Sequence, residues 1–426
     1  MTNQTAEDHR ISGDVLIVGG GIAGITAAIE AAEVGKNVIL IEKNPYIGGR
    51  VVQMNQYFPK LCPPSCGMEI NLRRIKQNPR IKVLTLAQVE NVTGESGNYQ
   101  VTIKTEPRFV NEKCTVCDKC VEVCPAEREN DFNIGMDKTK AIYIPYENAF
   151  PSEYVLDMNA CKKGDCKACV DACKYNAIEL DMQAENITAQ VSSIVLATGW
   201  KPFDPSNIEF LGFGKYPNVV TSLMMERLAS PGGPTGGKIL RPSDNKEVNK
   251  VAFVQCVGSR DENHLPYCSA VCCMASMKQT TYIRSQYPDA EISIFYIDVR
   301  SPGRLEDFYA NMQTDEKVTF HRGKVADITE DPNTKNLNVR AENTLQGTIT
   351  EDTFDMVILA VGIEPHAKDA PPPVDVKFDD YGFVVNNGGS TGIYGAGTAT
   401  KPMEVAASLR DAMGATLKAL QATKRD

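Results

Sequence analysis

The chain has 426 residues, 42% hydrophobic and 23% charged, enough for two or three cores, because single cores rarely grow past about 250–300 residues. A net charge of −9 without a basic tract argues against nucleic acid as a partner. No run approaches the roughly 18–20 apolar residues of a membrane helix, and MTNQTAEDHR lacks the basic and then apolar regions of a signal peptide, so a cytoplasmic location is expected.

In chain order, Asp14 to Val18 (DVLIV) reads as a buried parallel strand, followed by Gly19, Gly21 and Gly24 as G-x-G-x-x-G. The Ala-rich run Ile22 to Val34 reads as a helix ending before Gly35. The first glycine permits the turn, the second lets backbone approach a pyrophosphate, and the third brings helix against strand. A second strand, Asn37 to Ile41, delivers Glu42, 18 residues beyond Gly24 and well placed to accept from a ribose 2′-OH. Gly48, Gly49 and Arg50 follow, and far downstream Gly392 to Ala399 (GIYGAGTA) precedes a helical stretch, Glu404 to Ala422. Together these segments resemble the two-dinucleotide-binding-domain flavoproteins, and the resemblance implies FAD. In that superfamily the late glycine segment meets the ribityl chain and pyrophosphate and usually reads Gly-Asp; here Gly397 and Thr398 stand there, and a hydroxyl replaces the carboxylate. Ile194 to Trp200 (IVLATGW, with Gly199) and Met356 to Gly362 (MVILAVG) look like strand-and-glycine segments at the domain crossovers.

Between these pieces lie two cysteine runs. Cys114, Cys117, Cys120 and Cys124 with Pro125 follow the bacterial ferredoxin spacing, and Cys161, Cys166, Cys169 and Cys173 form a second run. Such spacings in an unexported chain favour metal thiolates over disulfides. Three cysteines of each run hold one cluster while the fourth crosses over, which assigns one [4Fe-4S] cubane to Cys114, Cys117, Cys120 and Cys173 and another to Cys124, Cys161, Cys166 and Cys169. The second run departs in its x4 first gap and in Lys174 where proline is usual. Zinc knuckles or packed thiols are the competing readings. The 36 residues from Pro125 to Ala160 exceed what a minimal ferredoxin requires and suggest a docking surface.

From Val251 to Gln255 a strand leads into a turn, from about Ala270 to Arg284 a helix follows, and Glu291 to Ile297 is a further strand. This βαβ unit lacks the glycine fingerprint; CVGSRDENHLPYCSAVCC stands in its place, with bulky side chains that keep a pyrophosphate off the backbone. Cys256, Cys268, Cys272 and Cys273 could hold a third cluster, form a redox disulfide, or be buried thiols; Lys278 could approach a flavin or face solvent. Cys62 and Cys66, a C-x3-C in a proline-rich loop, are a redox pair, extra ligands or packing thiols, and stay unassigned. GGPTGGK (Gly232 to Lys238) is a linker rather than a phosphate loop, since Ile239 replaces the magnesium-binding hydroxyl. His9, His264, His321 and His366 are scattered and form no constellation.

The expected fold class is α/β, a thioredoxin-reductase-like flavoprotein with an inserted α+β two-cluster module. Its divisions are residues 12–108, 181–205 and 355–426 for FAD, 109–180 for the ferredoxin insert and 206–354 for the degenerate NAD-like domain. The segments GGRVVQMNQYFPKLC and FVQCVGSRDENHLPYCSAVCCMASMKQ, with the insert, resemble the A-type flavoprotein of heterodisulfide reductase and, within that family, components of the quinone-interacting membrane-bound oxidoreductase of sulfate reducers. On this resemblance the chain is expected to differ from the reductase flavoprotein in having no extension before Ser12 and no second ferredoxin domain after about Ala422. The resemblance implies a cluster at Cys256, Cys268, Cys272 and Cys273, with Lys278 beside the flavin. It also implies an oxidoreductase component inactive alone, at the inner face of the membrane through its partners: a larger related flavoprotein, a membrane protein carrying haem and a quinone site, and adenylylsulfate reductase. Electron confurcation, the merging of quinol electrons with lower-potential ones, fits that cofactor set. With the second fingerprint missing, the isolated chain should show no saturable NADH oxidation in a stopped-flow assay.

Overall fold

The computed structural model describes residues 9–162, 166–386 and 391–423. Two parallel five-stranded sheets organise it. The first runs Ile393–Gly395, Ser193–Leu196, Val15–Val18, Val38–Glu42, Ile81–Thr85. Its central strands are continuous apolar runs, as expected where both faces are covered. Val15 and Ile17 point into a core shared with the helices Ile22–Glu33 and Val405–Leu420, whereas Leu16, Ile39 and Ile41 meet Tyr99, Val101 and Ile103 of a four-stranded sheet on the other side. The glycine helix stops at Val34 and Gly35 follows with φ +89°. Glu404 caps the last helix, its carboxylate accepting from the Ala406 and Ala407 N–H groups at 2.7 and 2.8 Å.

The second sheet runs Val219–Thr221, Met356–Val361, Lys250–Val257, Glu291–Tyr296, Val318–Arg322, again all parallel. The helices Ser222–Ala229 and Cys272–Gln286 share a core with one face, and a three-stranded antiparallel sheet, Val325–Glu330, Leu337–Asn343 and Thr348–Phe354, covers the other. An antiparallel pair, Trp200–Pro202 with Ile363–Pro365, joins the two halves. The expected boundary between 354 and 355 is therefore displaced. Met356–Val361 lies inside the second sheet, so that unit reaches the crossover pair; a run buried along its whole length does not reveal locally which of two sheets it completes.

Residues 109–180 form a compact insert. Its short helices Lys119–Glu122 and Ala168–Ala172 pack together around Cys120 and Cys169. Part of the stretch after Cys124, for which a docking surface is expected, turns inward. Phe132 packs into the core of the first domain and stacks on Tyr146 at 5.0 Å between centroids, and Met136 packs against the core of the second. Asn133, 3% exposed, accepts from Nε of the buried Arg227 at 2.8 Å. That guanidinium also donates to the Gln53 and Gly232 carbonyls and lies 4.7 Å over the Phe132 ring; burial lowers its pKa to about 10. The insert is thus a wedge between the halves. Asn133→Ala should strip the Arg227 Nε–H of its partner and cost about 1–3 kcal/mol, seen as a lower urea midpoint.

Candidate functional site

A cavity of about 420 Å³ opens at the carboxyl ends of the first sheet's strands, where open α/β sheets take ligands. Gly19 has φ +110°, and a Cβ there would collide with the Ala197 carbonyl; one at Gly24 would strike the Gly19 carbonyl, so the helix sits directly on the turn. Gly21 bridges Gly48, and a Cβ at Gly49, which has φ +58°, would come within 2.8 Å of the Gly21 Cα. Only bare backbone fits this crossing. Glu42 accepts from the Gly20 N–H at 2.7 Å and the Asn44 N–H at 2.8 Å, while burial pushes its carboxyl pKa up.

Gly19, Gly21, Glu42, Gly49, Arg50, Gly199 and Thr398 line the cavity, and Gly24, Gly48 and Gly397 shape it from behind. Gly397 donates to the Asp411 carboxylate at 2.7 Å and packs against Ala23 so closely that a Cβ would come within 2.7 Å of the Ala23 Cβ. Arg50 lies 5.7 Å over the Trp200 ring, and burial lowers its pKa. The Thr198 hydroxyl in the wall is buried without a partner. Glycine cradle, orphaned hydroxyl and cavity together fit a bound dinucleotide.

The opposite wall comes from the second domain. Lys278 is 5% exposed rather than solvent-facing; its Nζ is 3.0 Å from Glu226 Oε1 and donates to the Gln56 carbonyl at 2.5 Å. Glu226 also accepts from the Asn55 N–H at 2.9 Å, Gln279 Nε2 at 2.6 Å and the Tyr282 hydroxyl at 3.2 Å, and burial together with this carboxylate pushes the Tyr282 phenol pKa up. His366, set aside as scattered, lines the cavity too. Burial, aided by the charges of Lys43, Arg50 and Lys201, lowers its pKa to about 4. Glu226 and His366 carry no local motif; only their position just past a strand end could have marked them.

Cys272 is in the same wall. Its helix begins at Cys272, so Cys272 and Cys273 occupy the first turn. Cys256 turns inward at a bulge with φ +59°. Burial raises Cys272 well above an ordinary thiol, and negative charge on Cys256, Cys273 and Cys268 would raise it further; Cys256 is pushed up to about 11 by burial and then by Cys273 and Cys268. Cys256 lies near the end of its strand, and Cys272 and Cys273 open the helix that follows. The segment between them folds back on itself, with the Leu265 N–H donating to the Gly258 carbonyl at 2.9 Å and Tyr267 Oη to the Ile363 carbonyl at 2.9 Å, and no glycine cradle forms there.

In the insert, burial pushes Cys120 to about 12, with Cys114 and then Cys169 adding. Cys169 is raised mainly by burial, and negative charge on Cys161 and Cys124 would raise it further. Among the described residues no three Cys, His, Asp or Glu side chains are drawn together tightly enough to bind a metal ion. The donor chemistry, thiols in ferredoxin spacing at the edge of a small core, is that of iron–sulfur ligation. Cys117 is exposed, and Cys166 and Cys173 are half-buried.

Residues 14–71 match the family described as FAD dependent oxidoreductase. Thioredoxin reductase from T. acidophilum shares the fold with a TM-score of 0.53 at 15% identity, over 96% of this chain and 98% of that one. Residues 14–71 thus carry the match to an FAD-dependent oxidoreductase family, and the chain as a whole has the thioredoxin-reductase-like fold. More particularly, the chain is 43% identical over 354 residues to an iron-sulfur component, the second of the A type, of the CoB--CoM heterodisulfide reductase of Methanopyrus kandleri, covering 82% of this chain and 54% of that protein. It is 37% identical over 428 residues to the A component of the H(2):CoB-CoM heterodisulfide,ferredoxin reductase of Methanothermobacter marburgensis, covering 97% of this chain and 64% of that protein. Its homologues are A-type heterodisulfide reductase proteins, and the chain spans between 54% and 64% of the length of these two. No helix among the described residues is long and apolar enough to cross a membrane.

His366 stays neutral in the fold down to about pH 4, against 6.5 for an unperturbed histidine. Between those values the unfolded chain binds the extra proton, so stability is lost as pH falls through the window. Urea midpoints at pH 7 and pH 5 should therefore differ less in His366→Gln than in the parent.

Proposed function

We propose that this chain is a flavin and iron–sulfur electron-transfer component of the heterodisulfide reductase A type, working inside a multi-subunit complex. The observation that carries the reading is a single cavity walled on one side by the glycine cradle and on the other by Cys272 and Lys278. FAD would be held by Gly19, Gly21, Gly24, Glu42, Gly48, Gly49, Arg50, Gly199, Gly397 and Thr398, with Thr198 as a further donor. Cys114, Cys117, Cys120 and Cys173 would hold one [4Fe-4S] cluster, Cys124, Cys161, Cys166 and Cys169 a second, and Cys256, Cys268, Cys272 and Cys273 a third. A flavin exchanges one or two electrons and a cubane one, so the set converts between pairs and single electrons. The chain's own part is to position and to exclude water. Glu226 keeps the Lys278 ammonium fixed at the wall, Gln53, Met54, Tyr57 and Phe58 add to the lining, and the insert carries its thiols on a unit wedged against both halves.

A narrower reading makes the chain part of a quinone-interacting complex that delivers electrons to adenylylsulfate reductase at the cytoplasmic face of the membrane, by confurcation; it rests on the family resemblance of the segments quoted above. An NAD(P)H-linked enzyme is disfavoured by the folded-back segment after Cys256. Anaerobic purification of the native complex tests the proposal. The expected preparation is brown-yellow with one flavin per chain, about eight irons if the insert alone is loaded and about twelve if the four thiols at Cys272 are loaded too. A colourless chain without acid-labile sulfide would overturn it. A co-eluting membrane haem protein would select the narrower reading, and a soluble thiol-disulfide reductase partner the broader.

A further inference from the structure

Each cysteine run of the insert is preceded by one polar residue whose contacts reach past the end of the other run. Asn111 stands three residues before Cys114. Its carbonyl accepts from the Cys114 N–H at 3.1 Å, and its Oδ1 accepts from the Lys113 N–H at 3.0 Å. In the other direction its N–H donates to the Ala177 carbonyl at 2.8 Å and its Nδ2 to the Asn176 carbonyl at 3.3 Å, just after Cys173. Val110 and Ile178 form an antiparallel bridge alongside, and the Ala177 N–H donates back to Cys173 Sγ at 3.4 Å. The start of the first run is thereby tied to the end of the second.

Asp157, four residues before Cys161, repeats the pattern with other atoms. Its carbonyl accepts from the Cys161 N–H at 3.0 Å, and its Oδ1 accepts from the Asn159 and Ala160 N–H groups at 2.8 and 3.3 Å. Its Oδ2 accepts at 2.8 Å from Nε of Arg128, four residues after Cys124. A backbone link runs in parallel: the Asp157 N–H donates to the Ala141 carbonyl at 2.8 Å, and the Ala141 N–H to the Ala126 carbonyl at 3.0 Å. Cys124 Sγ lies 3.6 Å from that last carbonyl. The Arg128 and Asp157 side chains are 14% and 23% exposed, and the guanidinium lies 4.6 Å over the Tyr143 ring, so this charge-assisted bond is sheltered from water.

An Asp or Asn side chain that accepts from N–H groups two or three residues on fixes a turn that the backbone alone would hold loosely. Cys161 depends on such a turn more than Cys114 does, because four residues rather than two separate it from the next cysteine of its run. We propose that Asn111 and Asp157 are paired positioning residues. Asn111 presets Cys114 against Cys173, and Asp157, with Arg128, presets Cys161 against Cys124, so each governs one of the two cluster sites. This inference rests on the ligand assignment proposed above and adds the residues that arrange those ligands before metal enters.

Cysteine footprinting of the metal-free full chain tests it, with limited iodoacetamide and peptides read by mass spectrometry. Asp157→Ala should speed alkylation of Cys161 by about fivefold or more and leave Cys114 unchanged; Asn111→Ala should do the reverse. Asp157→Asn, which keeps the Oδ1 acceptor of the turn, should rescue most of the Asp157→Ala effect. After anaerobic reconstitution with iron and sulfide, each alanine variant should keep about four of the parent's roughly eight irons, and its dithionite-reduced EPR spectrum should change from two interacting clusters to one. An unchanged Cys161 rate in Asp157→Ala, a rise across both runs in either alanine variant, or loss of all or none of the iron would overturn the proposal. The footprint needs no metal, so a parent chain that takes up no iron defeats the electron-transfer reading while the footprint still decides this one.

Discussion

The loop from Gln53 to Gln56 is held by buried charge, and the rest of the site depends on it. Gln53 gives its carbonyl to Arg227, Asn55 gives its N–H to Glu226, and Gln56 receives Lys278. Arg227 is 2% exposed and Glu226 3%. Charges so deeply buried are costly unless paired and hydrogen-bonded throughout. Here the partners are backbone groups of the segment that leaves Gly48, Gly49 and Arg50, so satisfying the charges and registering one domain on the other are the same event. The cavity exists because that register is held.

The insert participates in this constraint. Asn133 and Phe132 meet the same guanidinium, one through a hydrogen bond and the other through its ring face. Displacing the insert would leave Arg227 under-satisfied and open a seam at Gln53. The two cysteine runs are thereby carried by a unit tied to the cavity's walls; clusters held there, as proposed, would be fixed relative to the cavity in a way a tethered module would not give.

The four thiols at the opening of the second sheet replace what the equivalent turn does in the first. A glycine turn exposes N–H groups to a phosphate. The turn after Gln255 folds back instead, the Leu265 N–H donating to the Gly258 carbonyl. The same βαβ scaffold carries a glycine cradle in one half and a cysteine-bearing loop in the other, and the change lies in one loop.

Much of the fold was legible in the sequence where the governing physics is local. Val15–Val18 and Val38–Glu42 announce themselves as uninterrupted apolar runs, and the glycines at 19, 21 and 24 as positions where only backbone fits, because strand burial and turn sterics act within a few residues. The cysteine spacings are legible for the same reason. What the residues left open was set by long-range partners: that Met356–Val361 completes the second sheet, that Phe132 and Asn133 turn inward, and that Glu226 and His366 face the cavity. Each depends on a surface contributed by residues about a hundred or more positions away in the chain. Composition and spacing determined the chemistry available to this protein; tertiary packing decided which of those groups share one cavity, since burial and pairing of charge are properties of the assembled interior.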